Sequence, residues 1–297
     1  MDRNDIAERI TQSVDGLPGQ LGAAARYVLD NPGDVALLSM REQARRAGVR
    51  PWTMTRLAKR LGLDGYDDVR QLHGEALKEQ ALGFSGRANA QLARQKQEGG
   101  SALGAEMAST MAVQIAAMAA PARIEVLTGA ARDMAAARRI YCFGLRSGRP
   151  IASHLAYVLS FLGEKTVLLG GEGSAGFDAL RFASAGDIFF VATVSPYTRA
   201  SVEAARYAAG KGLTVVAITD SAASPVASIA RHVIVAATES PSFFHAMAPA
   251  FAAAEILAAL VAGEGGEGSL KAIARAEEHL AERKVHLHDR SQPPEPR

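Results

Sequence analysis

The chain has one cysteine in 297 residues, Cys142, which excludes an intramolecular disulfide framework and any multi-cysteine zinc site. Cys142 sits in an apolar run that reads as a buried strand, so it is expected to be a small core residue. Charge of one sign is also lacking: 33 Lys+Arg against 31 Asp+Glu leave a net charge of +2. No partner class follows from that balance, so the placement of charge must be read instead. The first ten residues, MDRNDIAERI, contain no apolar signal-peptide core. The Ala-rich stretch 246–262 is too short to read as a membrane span. A cytoplasmic protein without a membrane partner is expected. His279, His286 and His288 show no metal-ligand spacing, and the turn GLRSG lacks the spacing of a dinucleotide fingerprint. No metal and no cofactor are expected. What remains is an ordinary globular composition, 48% hydrophobic and 22% charged, with length for two modest domains.

The stretch IYCFGLRSGRPIA, residues 140–152, organises that composition. An apolar run stops at Gly144, a polar turn follows (Leu145-Arg146-Ser147-Gly148), and a helix is predicted from residue 150. This order presents backbone N–H groups, a hydroxyl and the positive end of a helix to an anion. Five strands are predicted at 139–143, 166–169, 187–193, 214–219 and 232–236, with helices at 150–162, 177–183, 199–211 and 225–230 between them. Such alternation implies an α/β fold, a parallel sheet covered on both faces. Ligands of such sheets bind beyond the carboxyl ends of the strands. Those ends carry the polar residues: Ser195-Pro196-Tyr197-Thr198-Arg199 after the third strand, Thr219-Asp220-Ser221 after the fourth, and Thr238-Glu239-Ser240-Pro241-Ser242 after the fifth. Hydroxyl-rich turns at helix starts suit a phosphate, with Arg146 or Arg199 adding charge. Ser195, Thr198 and Ser221 fit equally as plain helix caps. His245 follows Phe243-Phe244 near the mouth, whereas His154 and His232 read as structural.

Residues 1–80 read as short helices. Apolar residues recur at helical spacing (Ile6, Ile10 and Val14; then Leu21, Ala25, Val28 and Leu29), with a break at 16–19 and a stop at Asn31-Pro32-Gly33. Ser39 with Glu42 three residues on is a capping-box signature, and the helix it starts ends at Gly48. A second helix starts at Pro51 and ends at Gly62. Two short helices around a tight glycine turn form a helix-turn-helix pattern, whose second helix meets DNA bases through its early residues. Residues 41–60 hold seven Lys/Arg and one Glu, 7 − 1 = +6. Candidate DNA contacts are Arg50, Trp52, Thr53, Thr55, Arg56, Lys59 and Arg60. The charge alone fits a solvated basic face equally well, and Trp52 fits a packing role. Residues 81–123 read as a helical connector, with a polar, partly mobile stretch (80–101) and then an Ala/Met-rich helix (Met107, Met111, Ile115, Met118) that suits packing and a dimer interface. After a flexible break at 263–268, an amphipathic helix (270–286) and a disordered QPPEPR tail are expected.

The run from Ser39 to Arg70 resembles the N-terminal domain of RpiR-family transcriptional regulators. The matching positions are Ser39, Glu42, Ala44, Ala47, Gly48, Val49, Thr53, Arg56, Leu61, Gly62, Gly65, Tyr66 and Arg70. Arg50 departs from the family, which has a capping serine there; loss of such a cap costs roughly 1 kcal/mol. The later module resembles a sugar isomerase (SIS) domain, the phosphosugar-binding fold, in four motifs: GLRS at 144–147, SPYTR at 195–199, ITDSAASP at 218–225 and TESPSFF at 238–244. Pro196-Tyr197 departs from commoner SIS domains. The resemblance implies an all-α helix-turn-helix domain (1–80), a connector (81–123), a SIS-type doubly wound five-stranded parallel sheet (124–262) and a C-terminal helix with tail (263–297). It implies that Ser147, Ser195 and Thr198 hold a phosphate, with Gly144, Arg146, Tyr197, Arg199, Glu239 and His245 around it.

Two functions are consistent with these features. The first is a transcriptional regulator that binds double-stranded operator DNA as a homodimer or homotetramer and senses a phosphorylated sugar or sugar acid. The second is a phosphosugar isomerase with an accessory helical domain, for which Glu239 and His245 are the acid/base candidates. The basic helix has no purpose in the second.

Overall fold

The computed structural model describes residues 6, 10, 17, 19–170 and 174–287. Val14, His288 and the QPPEPR tail lie outside the described residues.

Among the described residues, Ile6 and Ile10 are helical and the first complete elements are α1 (Gly19–Asp30), α2 (Pro32–Leu37), α3 (Met40–Arg46) and α4 (Pro51–Arg60). Asn31-Pro32-Gly33 ends α1 as expected, but Pro32 then occupies the first turn of a further helix, α2, which periodicity does not reveal over six residues. Ser39 caps α3 by accepting the Glu42 N–H at 3.3 Å. The other half of the capping box is missing, because the Glu42 carboxylate turns away to Arg45 and Arg46. Gly48 (φ 67°) and Gly62 (φ 84°) take the left-handed conformation that closes a helix. A buried polar bridge binds this helix pair to the next helix. The Gln43 amide donates to the carbonyls of Val35 and Leu38 and accepts the Tyr66 hydroxyl at 2.6 Å. Ile6, Ile10, Val28, Val35, Leu57 and Val69 complete one apolar core.

Connector helix α5 (Tyr66–Glu98) is continuous through the stretch expected to be partly mobile, with one break at Gly83 (φ 57°, ψ −173°). It is followed by α6 (Gly100–Ala116) and, after a 3-10 turn, α7 (Pro121–Ala136). No residue of α6 is buried. The segment Gly100–Ala119 has the length and mean hydropathy (1.2) to cross a membrane, and 6% of it is buried. The Ala-rich stretch near the C-terminus behaves differently: α10 (Ala248–Glu264) is a core helix packed on α7 and α8.

The second module is a parallel sheet of β1 (Ile140–Gly144), β2 (Thr166–Leu168), β3 (Ile188–Ala192), β4 (Thr214–Thr219) and β5 (His232–Val235), in the order β2-β1-β3-β4-β5. All five predicted strands form, most of them trimmed by a residue or two at the ends. One face is covered by α7, α8 (Gly148–Ser160) and α10, around Leu127, Cys142, Ile151, Phe190 and Leu257. The other is covered by α9 (Arg199–Gly210) and a 3-10 helix (Ser174–Phe182), around Tyr141, Phe143, Phe189 and Ala205. Burial pushes the Cys142 thiol well up, so it is an inert core group. The segment expected as helix at 177–183 is thus 3-10, and 225–230 forms turns, with the Ser228 hydroxyl donating to the Pro225 carbonyl at 3.4 Å. The break expected at 263–268 shrinks to Gly265, with α11 (Gly266–Glu282) following at a bend of 112°.

Two glycines fix the turn after β1. A Cβ on Gly144 would stand 2.2 Å from the Gly148 carbonyl oxygen, and one on Gly148 would stand 2.1 Å from that of Ala192. Gly148→Ala is therefore expected to destabilise the protein by about 1–3 kcal/mol or more, because backbone has to move. Gly104→Ala, on exposed α6 where an added Cβ meets nothing within 4 Å, is expected to stabilise it by about 0.5–1 kcal/mol. Urea unfolding of both variants checks the pair.

Candidate functional site

In the strand order β2-β1-β3-β4-β5 the chain reverses direction across the sheet between β1 and β3. The carboxyl ends of two neighbouring strands diverge there and leave a crevice. Both hydroxyl turns identified in the sequence open at this point.

The first turn leaves β1 at Gly144. Arg146 takes φ 50° with an exposed side chain, which throws Ser147 back to the start of α8. The Ser147 side chain makes no capping bond to α8. Its Oγ instead shares a 2.8 Å hydrogen bond with Nε2 of His245. The Gly148 and Arg149 N–H groups are spent on the carbonyls of Leu145 and Arg146, and Pro150 has none, so what the α8 N-terminus brings beside that hydroxyl is the positive end of its dipole.

The second turn leaves β3. The Ser195 N–H donates to Oδ2 of Asp220 at 3.2 Å, and the Thr219 hydroxyl donates to the other oxygen at 3.3 Å. Asp220, 5% exposed, thus ties the second turn to the end of β4. Thr198 occupies the N-cap position of α9 without a side-chain capping bond, so its hydroxyl is not spent on the helix. Arg199 is exposed and Tyr197 half-buried.

The third wall is the loop after β5, closed by the Ala246 N–H donating to the Thr238 carbonyl at 3.0 Å. The connector packs on it. Gln114 of α6 donates to the Glu239 carbonyl at 2.9 Å and to its carboxylate at 3.3 Å. The Phe243 N–H donates to the Gln91 side chain at 2.9 Å. Phe84 stacks on Phe244 at 5.3 Å, and the Arg87 guanidinium lies 5.3 Å above the Phe84 ring. Burial, and secondarily the Arg87 charge, hold the His245 imidazole below its ordinary pKa, so it is neutral at pH 7. Three side-chain atoms here are buried without a hydrogen-bond partner: Nδ1 of His245, Nε of Arg87 and Oε1 of Gln114.

The structure thus brings Gly144, Ser147, Glu239 and His245 to one mouth, beside the turn that carries Ser195, Tyr197 and Thr198. Arg146 and Arg199 stand at its rim as exposed side chains. Composition does not reveal Phe84, Arg87, Gln91 and Gln114; the sequence places Asp220 at the end of the fourth strand without giving it a role. The only sequence trace of the first three is an i, i+3, i+7 spacing in an otherwise polar stretch. His232 is structural as expected, with Nε2 2.8 Å from Asp133.

A second polar surface lies on α4. Arg50, Trp52, Arg56, Lys59 and Arg60 are exposed, and Arg56 lies 5.9 Å from the Trp52 ring. Two of the seven basic residues of this region, Arg45 and Arg46, are held by Glu42 and Asp34. Thr53 does not belong to this face. It is 2% exposed and points into the N-terminal core, because the stripe Thr53-Met54-Leu57-Ala58 is the buried one. Thr55 is half-buried with its hydroxyl 3.6 Å from the Met40 sulfur.

Residues 133–261 match the family model of the SIS domain. No curated protein matches the chain significantly. Among solved structures, the sugar isomerase domain of an RpiR transcription factor from Sphaerobacter thermophilus is 26% identical with a TM-score of 0.54, over 59% of this chain and 98% of that one. The NanR protein of Vibrio vulnificus, solved with ManNAc-6P, is 23% identical with a TM-score of 0.56, over 95% of this chain and 100% of that one. A hypothetical protein of Methanococcus jannaschii, described with an inferred 3-hexulose-6-phosphate isomerase function, aligns at 14% identity and a TM-score of 0.42, over 62% of this chain and 96% of that one, and bears only on likeness. The second module is a SIS domain, and the likeness in fold to the NanR structure extends over the helical module as well.

Proposed function

We propose that the chain is a DNA-binding transcriptional regulator of the RpiR type, whose SIS domain senses a phosphorylated sugar or sugar acid. One observation carries this reading: a helix presenting Arg50, Arg56, Lys59 and Arg60 to solvent shares a chain with hydroxyl turns open at a sheet switch point. In this reading residues 1–80 form a helix-turn-helix domain, 81–123 the connector, 124–262 the sensor and 263–297 a C-terminal extension. Helix α4 enters the major groove. Arg50, Arg56, Lys59 and Arg60 reach phosphates or base edges, and Trp52 stacks on sugar or base. Ser147, Ser195 and Thr198 donate to the effector phosphate, and the α8 dipole adds to their attraction. Two operator half-sites need two recognition helices, and the uncovered apolar α6 (Met111, Val113, Ile115) suits a second copy. Such a regulator works on DNA in the cytoplasm.

A phosphosugar isomerase is the second reading, supported by a neutral His245 bonded to Ser147 at the mouth. The Glu239 carboxylate is engaged by Gln114, which argues against a free base there.

Three outcomes are expected. On a duplex selected by the protein from a random pool, Arg56→Ala weakens binding in fluorescence anisotropy, and loss of one phosphate contact lowers the slope of log affinity against log salt by about 0.9. Unchanged affinity and slope would remove Arg56 from the contact set. In a thermal-shift panel of sugar phosphates and phosphorylated sugar acids, one ligand at a hundredfold excess over its Kd stabilises the protein by about 2.7 kcal/mol. Ser195→Ala with Thr198→Ala removes that shift and leaves DNA affinity intact; a retained shift would misplace the site. Isomerase assays on the same panel give no turnover, whereas turnover abolished by Glu239→Gln would establish the enzyme.

A further inference from the structure

Helix α5 is one element with two attachments. Before Gly83, Tyr66 and Val69 belong to the N-terminal core. After it, Phe84, Arg87 and Gln91 form one helical face that lies on the loop after β5. Gly83 itself is non-helical, and a Cβ there would meet nothing within 4 Å.

The contacts of that face are unequal. Phe84 is stacked and Gln91 hydrogen-bonded, but Arg87 has no carboxylate partner among the described residues. Its guanidinium rests on an aromatic face, and its Nε is buried without an acceptor. A guanidinium cannot shed its proton to relieve this. Nδ1 of His245 and Oε1 of Gln114 are orphaned in the same place, on two other elements. His245 in turn is bonded to Ser147, the hydroxyl of the first turn. A chain of contacts thus runs from the turn through His245, Phe244 and Phe84 to Arg87. An anion at Ser147 supplies the acceptor that the Arg87 Nε–H lacks, and one for His245 in the tautomer with the proton on Nδ1, whereas Oε1 of Gln114 is itself an acceptor and gains nothing from it. A forked guanidinium is suited to phosphate oxygens.

We propose that Arg87, from the connector, is an anion ligand of the effector site, so that the effector itself fastens the 84–98 half of α5 to the SIS domain. This deepens the phosphate-effector reading and rests on it. It also supplies the differential affinity that regulation requires. The docked arrangement of α5 offers Arg87 to the anion and an undocked one does not, so occupancy favours the docked arrangement. The break at Gly83 is where that preference meets the DNA-binding module.

The test uses the full chain and inorganic phosphate, with titration calorimetry for affinity and hydrogen exchange for the connector. In wild type, saturating phosphate slows exchange of amides 84–98. Arg87→Ala weakens phosphate binding by about tenfold, the scale of one charge-assisted contact, and removes the protection. Arg87→Lys gives an intermediate affinity. Should the alanine variant lose its fold, Arg87→Gln gives the same readouts. Wild-type affinity and retained protection in the Arg87 variants, alongside loss of binding in Ser147→Ala, would overturn the connector role and leave the phosphate site standing. No binding of phosphate to wild type would overturn the phosphate reading and this inference with it.

Discussion

Everything at the mouth of the SIS domain depends on how closely the backbone packs at Gly144 and Gly148. The turn after β1 folds back so tightly that each glycine faces a carbonyl oxygen where a Cβ would stand. That approach seats the start of α8 directly against the end of β3. It therefore brings Ser147 and the positive end of the α8 dipole to the β1/β3 divergence. A looser turn would leave the strand and helix intact and remove the anion site. The constraint is local in sequence and needs only two positions, whereas the rest of α8 tolerates ordinary apolar packing through Ile151, Leu155 and Leu159.

From Ser147 the arrangement spreads outward in two directions. One passes through His245 and the loop after β5 to the connector, where Phe84, Gln91 and Gln114 make the contacts. The other passes from the Ser195 turn to Asp220, whose neighbour Ser221 lines a small cavity of about 20 Å³ with Val28, Pro32 and His73 of the N-terminal module. The loops after β4 and β5 thus touch the helical module both directly and through α5. A ligand bound at the two hydroxyl turns would act on both contacts at once. Coupling of this kind needs no long relay, only two arrangements of α5 that differ in their contacts to the mouth.

The sheet and the helix pair were legible in the sequence because their signals are local. Apolar runs of five or six residues mark β1, β3 and β4, the first ended by Gly144 and the others preceded by Gly186 and Gly212, and Gly48, Pro51 and Gly62 punctuate α3 and α4 at positions where backbone geometry demands them. The hydroxyl turns were legible for the same reason. The misreadings arise where tertiary packing decides. Thr53 carries the polarity of a contact residue, yet the buried stripe of α4 includes it. Residues 80–101 look like a polar linker because α5 and α6 bury little within the chain, and the i, i+3, i+7 spacing of Phe84, Arg87 and Gln91 mixes an apolar with two polar side chains, so it does not read as an apolar stripe.

Arg87 shows why that last class is invisible. A single arginine in a polar helix carries no sequence signal that separates a solvated charge from a ligand. The distinction rests on what surrounds it: a stacked Phe84–Phe244 pair beneath it, a neutral His245 nearby and no carboxylate partner among the described residues. An exposed arginine in water would lose nothing by lacking a partner, but here Nε is out of contact with solvent. Burial of a donor without an acceptor is disfavoured unless something occupies the gap for part of the protein's working cycle. The same argument applies to Nδ1 of His245 in the tautomer whose Nε2 accepts the Ser147 hydroxyl, and the two groups are linked through the Phe84–Phe244 stack. Two orphaned polar groups linked through one aromatic stack, beside a hydroxyl already turned toward the mouth, are more economically explained by one shared anion than by two separate imperfections of packing.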